Sequence, residues 1–214
     1  MNKLNQLKEK FISAILYYYI DFVYKSSKVN IIGNKNFFEN LNPEKYIFFI
    51  WHGDSYCYYP FLKGKRLNIV TTINKRGGVI SRISKHFGYD VIQLPDYAGK
   101  GDYIFKLKKK INKETDANLV MSVDGPSGPN HEIKDFAFIM ALFSKRKIVP
   151  LNIDVKYKIK LKNRWDKLKF PFPFNQITIK INDAYSLNRE DRKDKFTEAR
   201  KKLKEIMEKD FRNS

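Results

Sequence analysis

His52 stands directly after an uninterrupted apolar run, Tyr46-Ile47-Phe48-Phe49-Ile50-Trp51. It is followed by Gly53, Asp54 and, at position 57, the only cysteine of the chain. An imidazole titrates near neutrality, so a histidine presented at the end of a buried strand can take a proton from a hydroxyl or thiol. A second apolar run, 118–123, ends in the same way, in Asp124-Gly125-Pro126-Ser127-Gly128-Pro129. Two glycines and two prolines fix that turn, and glycine lets backbone N–H groups come close to a ligand. A histidine at one strand end and a carboxylate at another form a candidate acid–base pair. Asp54 is the acid nearest to His52 in the chain, and Cys57 is a candidate nucleophile with no base assigned to it.

These groups work only if strand ends bring them together. Apolar runs at 46–51, 67–73, 89–94, 118–123, 148–153 and 176–181 read as strands, and the patterns near 77–87, 102–113 and 133–144 read as helices. A basic amphipathic helix is expected over 191–211. Strands alternating with helices of this length predict an α/β fold, a mostly parallel central sheet flanked by helices. Such sheets bind ligands beyond the C-terminal ends of their strands. His52 and Asp124 both fall there.

Composition narrows the remaining choices. A chain of 214 residues with 43% apolar and 15% aromatic residues is long enough for one ordinary core. A single cysteine excludes an internal disulfide framework, and Cys57 with His52, His86 and His131 has no metal-ligand spacing, so no metal is expected. The net charge is +19, carried by 42 basic residues against 23 acidic ones. That surface suits anionic lipid, an acidic protein or nucleic acid. No helix-turn-helix, zinc-finger or aromatic RNA-binding motif accompanies it, so no nucleic acid is expected. Residues 3–25 read as a helix whose apolar block, 11–24, contains Asp21 and is too short to cross a bilayer. Lysines flanking an aromatic surface suit a helix lying in a membrane interface, the alternative being a helix packed on the core. The expected organisation is therefore a membrane-associating helix over 1–28 and an α/β domain over 29–214.

The order "WHG", "NKRGGVISRISKHFGYDVI", "VDGPSGP", "KIVPLNI" and "RWDKLKFPFPFNQITIKIND" resembles the lysophospholipid acyltransferase-like superfamily. It is most similar to a bacterial branch with Trp-His-Gly and Asp-Gly-Pro-x-Gly-Pro motifs. The resemblance covers roughly 30–187. It implies a glycerolipid acyltransferase-like fold with an N-terminal membrane-associating helix, on the cytoplasmic face of the inner membrane. It implies transfer of a fatty acyl group from acyl carrier protein or coenzyme A to a hydroxyl of a lipid or glycolipid, with no bound cofactor. His52 becomes the general base, the 124–129 motif the acceptor side, and Pro150 part of a strand lining the site. Gly53, Gly125, Pro126, Ser127 and Gly128 become candidate substrate contacts. The chemistry is compatible. A base removes the hydroxyl proton as oxygen attacks the thioester, and backbone N–H groups of the glycine turn stabilise the oxyanion. Without a Gly-x-Ser-x-Gly elbow, direct transfer is expected rather than an acyl-enzyme.

The sequence departs from the family pattern in three places. Cys57 occupies the position, five after the histidine, where the superfamily carries an aspartate that orients the ring. Ser127 stands where basic residues often occur, and "LPDYAGKGD" lacks the arginine and serines of this branch. Lys75, Arg76 and Lys100 are then the candidate cations for an anionic headgroup. If the chain turns helical after His52, Asp54 lies about 200° around the axis and faces away. Asp124 is therefore expected to accept the ring N–H of His52. Loss of the orienting acid also admits a second reading, a non-catalytic lipid-binding module with the same fold.

Overall fold

The computed structural model describes residues 3–39, 43–94 and 117–209, and the elements and contacts of the fold are those of these residues. The helix expected near 102–113, the loop after the strand at 89–94, and Lys100 lie outside them.

A long helix, α1 (Lys3–Ser26), leads into β1 (Lys28–Gly33). Then come β2 (Tyr46–Ile50), a one-turn helix α2 (Ser55–Tyr58), β3 (Leu67–Thr72), α3 (Lys75–His86) and β4 (Asp90–Leu94). The second half holds β5 (Asn118–Ser122), α4 (Asp135–Phe143), β6 (Lys147–Val155), a short pair β7 (Lys158–Lys160) and β8 (Lys169–Pro171), and β9 (Gln176–Ile181). Two C-terminal helices, α5 (Arg189–Lys193) and α6 (Thr197–Glu208), follow.

Seven strands form one sheet in the order β1-β9-β6-β2-β5-β3-β4. Every pairing is parallel except β6 with β9. β2 lies in the middle, between β6 and β5, and its five residues are all buried. Successive side chains of a strand point to opposite faces, so a doubly covered strand must be apolar throughout. Tyr46, Phe48 and Ile50 pack into the core beneath α1 and α3, while Ile47, Phe49 and Trp51 pack into the core beneath α4 and α6. The strand expectations hold to within a residue or two at each end, as does the mostly parallel α/β fold.

Two features differ from the sequence reading. The single helix expected over 191–211 is broken, because Lys195 and Phe196 both adopt left-handed backbone angles (φ 56° and 63°) and divide α5 from α6. The stretch 158–171, unassigned from sequence, is an antiparallel hairpin that pairs Lys158 with Pro171 and Lys160 with Lys169. The segment 1–28 contributes Ile20 and Val23 to the buried interior, and α1 lies against α3. It also keeps a row of large apolar side chains in solvent: Leu7, Phe11, Ile15, Tyr18 and Phe22. No helix among the described residues is long and apolar enough to cross a membrane.

Candidate active site

β2 and β5 run side by side, and the Val123 N–H still donates to the Ile50 carbonyl (3.0 Å), so the two strands end at the same edge of the sheet. His52 begins a 3₁₀ turn, His52–Asp54, that leads into α2. The chain thus does turn helical after His52, and Asp54 is carried away from the ring. The Asp54 carboxylate is buried and meets the Lys169 ammonium at 2.5 Å.

Asp124 does not partner the ring. Its side chain is completely buried, and it accepts the backbone N–H of His52 (2.9 Å) and, more weakly, that of His131 (3.5 Å). The geometric expectation failed because Asp124 sits beside the backbone of position 52, while the imidazole projects past it. Burial pushes the Asp124 pKa up to about 6 despite the N–H groups it accepts. Its place in the structure is to hold the His52 backbone to the glycine turn.

The ring finds its acid in the loop of the hairpin. His52 Nδ1 lies 3.0 Å from Asp166 Oδ2. Arg164 grips the same carboxylate as a fork, Nε donating to Oδ1 (2.9 Å) and Nη2 to Oδ2 (2.6 Å). The Leu168 N–H adds a longer bond (3.3 Å). Burial raises the Asp166 pKa, but the Arg164 guanidinium, His52 and the Leu168 N–H outweigh it and hold the carboxyl below its usual range. An ionised carboxylate only accepts, so Nδ1 must be the donor and Nε2 the basic nitrogen. That is the arrangement of a general base with an orienting acid.

Two motif glycines make room for this loop. A Cβ on Gly53 would stand 2.2 Å from the Asp166 carbonyl oxygen, so no side chain fits while Asp166 is in place. A Cβ on Gly128 would stand 2.5 Å from the Trp165 ring, and Gly128 also has φ +72°. Trp165 lies beside the imidazole, with ring centroids 5.1 Å apart. Lys169 adds a third fastening through Asp54. The Trp-His-Gly and Asp-Gly-Pro-Ser-Gly-Pro motifs are therefore, in large part, the seat of residues 164–169.

A cavity of about 860 Å³ opens beside His52. Ser127, Asn74, Arg164 and Trp165 are among its polar lining, and Gly125 and Pro126 line it too. Its apolar lining includes Tyr59, Leu62, Ile80, Met121 and Leu168, with Ile12 and Leu16 of α1. Pro150 does not line it. That residue sits opposite Phe49 where β6 exchanges β2 for β9 as partner, and its carbonyl accepts from Asn182. Lys75 and Arg76 open α3, which Asn74 caps through the Gly77 N–H (2.8 Å); nothing is described of their side chains. Cys57 is buried and its thiol is pushed well up by burial, so it does not supply a thiolate. His131 stacks on Trp51 (4.6 Å) and reaches Glu208 (3.2 Å), away from the ring of His52. Among the described residues no cluster of His, Cys, Asp and Glu is arranged to hold a metal.

Arg164, Trp165 and Asp166 were quoted within a motif but given no role by the sequence reading. The available signal was that Asp166 is the one acid in the lysine-rich stretch 156–169, between an arginine and a further lysine.

No family model matches the chain. It is 29% identical over 185 residues to an uncharacterised protein of Rickettsia prowazekii (strain Madrid E), an alignment spanning 82% of this chain and 81% of that one. Its fold is similar to the crystal structure of the 1-acyl-sn-glycerophosphate acyltransferase PlsC from Thermotoga maritima. That match has a TM-score of 0.52 and 15% identity, over 98% of this chain and 86% of the other.

Proposed function

We propose that this protein is an acyltransferase that moves a fatty acyl group from an acyl thioester to a hydroxyl of a lipid or glycolipid. The observation that carries the reading is the His52–Asp166–Arg164 chain, with His52 and Arg164 lining a cavity of about 860 Å³ that has many apolar walls. The likeness of fold to PlsC supports it. Nε2 of His52 takes the proton of the acceptor hydroxyl while the oxygen attacks the thioester carbonyl. Asp166 stabilises the imidazolium, and the backbone of the 125–128 turn stabilises the oxyanion. The tetrahedral intermediate expels the thiolate, which takes the proton back from the imidazolium and leaves as thiol. The cavity's apolar walls suit the acyl chain, and Arg164 and Ser127 in its lining suit a polar acceptor. An acidic carrier protein is the donor that best fits a net charge of +19. We place the protein peripherally on the cytoplasmic face of the inner membrane.

The reading as a non-catalytic lipid-binding module drew on the missing acid at position 57. The Asp166 carboxylate, 3.0 Å from His52 Nδ1, favours the catalytic reading over it. The test is transfer of a labelled acyl group from acyl carrier protein, and in parallel from coenzyme A, to a bacterial lipid extract. The parent should label a lipid, and His52→Ala should lose roughly 10²- to 10⁴-fold in rate. Equal labelling by parent and His52→Ala would reject the mechanism.

A further inference from the structure

The hairpin that supplies Asp166 also carries a surface not used by the site. From 156 to 162 the chain reads Lys-Tyr-Lys-Ile-Lys-Leu-Lys, alternating lysine with an apolar residue. In β7 that alternation places the lysines on one face and the apolar residues on the other. The register pairs Ile159 with Phe170, so both lie on the same face of the hairpin. Phe170 is covered, stacking on Tyr19 of α1 (4.8 Å). Tyr157, Ile159 and Leu161 are not covered, and Phe172 and Phe174 beyond β8 are also exposed, Phe174 by 75%. Phe174 touches Phe22 (6.1 Å between rings), the last member of the exposed row on α1. Tyr19 further ties the two elements by donating to the Pro171 carbonyl (2.8 Å). The apolar rows of α1 and of the hairpin are thus continuous.

Positive charge borders this surface on both sides. Lys8 and Lys10 are exposed along α1, as are Lys156, Lys160, Lys162 and Lys167 around the hairpin. Partial burial, and then the nearby Lys169 and Lys158, push the Lys160 pKa down, as expected where cations crowd together. Apolar side chains ringed by lysines fit a bilayer interface with anionic headgroups, which takes up the rings and the charges together.

We infer that the 156–174 hairpin is a second membrane-docking element, seating Tyr157, Ile159, Phe172 and Phe174 in an anionic bilayer surface alongside α1. This surface does not depend on acyl transfer. A protein that docks through the hairpin but labels no lipid would remove the proposed activity and leave this inference standing.

The experiment is co-sedimentation with vesicles of equal parts phosphatidylglycerol and phosphatidylcholine, using the full chain without substrate. Ile159→Ser/Phe172→Ser/Phe174→Ser should bind about tenfold or more weakly than the parent, since these side chains give up apolar transfer to the interface. Phosphatidylcholine alone, or high salt, should weaken the parent's binding. As a probe that leaves the apolar surface intact, Phe174→Trp should show quenching by brominated acyl chains beyond that of the parent. Parent-like affinity in the triple variant, or no added quenching at position 174, would overturn the inference. It would equally be overturned if the triple variant kept its vesicle affinity but lost a dimer present in the parent, because the surface would then belong to a second copy of the chain.

Discussion

Replacing Asp166 by Asn exchanges a carboxylate for an amide of the same shape, at a side chain with no solvent exposure. The amide cannot satisfy both partners. If its oxygen stays toward His52 Nδ1, its NH₂ faces the Arg164 Nε–H, donor against donor. If it flips, the NH₂ faces Nδ1, which must then accept, and the ring proton moves to Nε2, where the base is needed. The lost charge has its own weight. A unit charge pair about 4 Å apart at an effective dielectric of about 20 interacts by about 4 kcal/mol. Arg164 already shares the carboxylate, and the His52 side chain is 31% exposed, so about half of that is a reasonable share. About 2 kcal/mol is roughly 30-fold, and the wrong tautomer adds to it, so kcat should fall about 10²- to 10³-fold. The loss should appear in kcat more than in KM, because the imidazolium exists only as the proton arrives. The assay is the acyl transfer described above, with His52→Ala as the floor. Folding should survive, since Arg164 is partly exposed and can turn to solvent. A folded Asp166→Asn within about threefold of the parent, beside an inactive His52→Ala, would refute the role assigned to Asp166.

Gly53→Ala places a methyl on the Asp166 backbone and should reduce stability by about 1–3 kcal/mol, read by urea unfolding, with activity falling too. Cys57→Ala should keep its activity, since the buried thiol is not ionised; inactivity in a folded variant would revive a thiol nucleophile. Asp124 has a folded pKa near 6, above the ordinary 3.8, so the native state holds its proton more tightly than the unfolded chain. The penalty of ionising it is absent below about pH 4 and complete above about pH 6, on the order of 2–3 kcal/mol. Asp124→Asn should flatten the loss of stability between those pH values in urea titrations; an unchanged slope would show that Asp124 is not its source.

The sheet was legible because its central strands are covered on both sides. Phe48 and Phe49 must both be apolar, and a continuous run of that kind is visible without tertiary information. His52 and Asp124 were legible for the same reason, as polar residues placed where such runs stop. The edge strand β1 was missed because only its partner β9 gives KVNIIG its role. β7 and β8 are three residues each; β7 carries lysines at alternate positions and β8 opens on one, which reads as solvated charge. Asp166 was missed with them. Its approach to His52 depends on how a hairpin far along the chain leans across the strand ends, and local pattern carries no record of that.

The separation of 114 residues between His52 and Asp166 has a consequence for how the protein is made. Contacts so far apart in sequence form late, after the entropy of closing the intervening loop has been met by other pairings. During synthesis, β2 and the histidine leave the ribosome long before residues 164–169 exist. Until they arrive, the seat formed by Gly53 and Gly128 has no occupant and the imidazole has no carboxylate to fix its tautomer. The growing chain thus carries a histidine without its carboxylate, and the proposed base is put together only in the nearly finished fold.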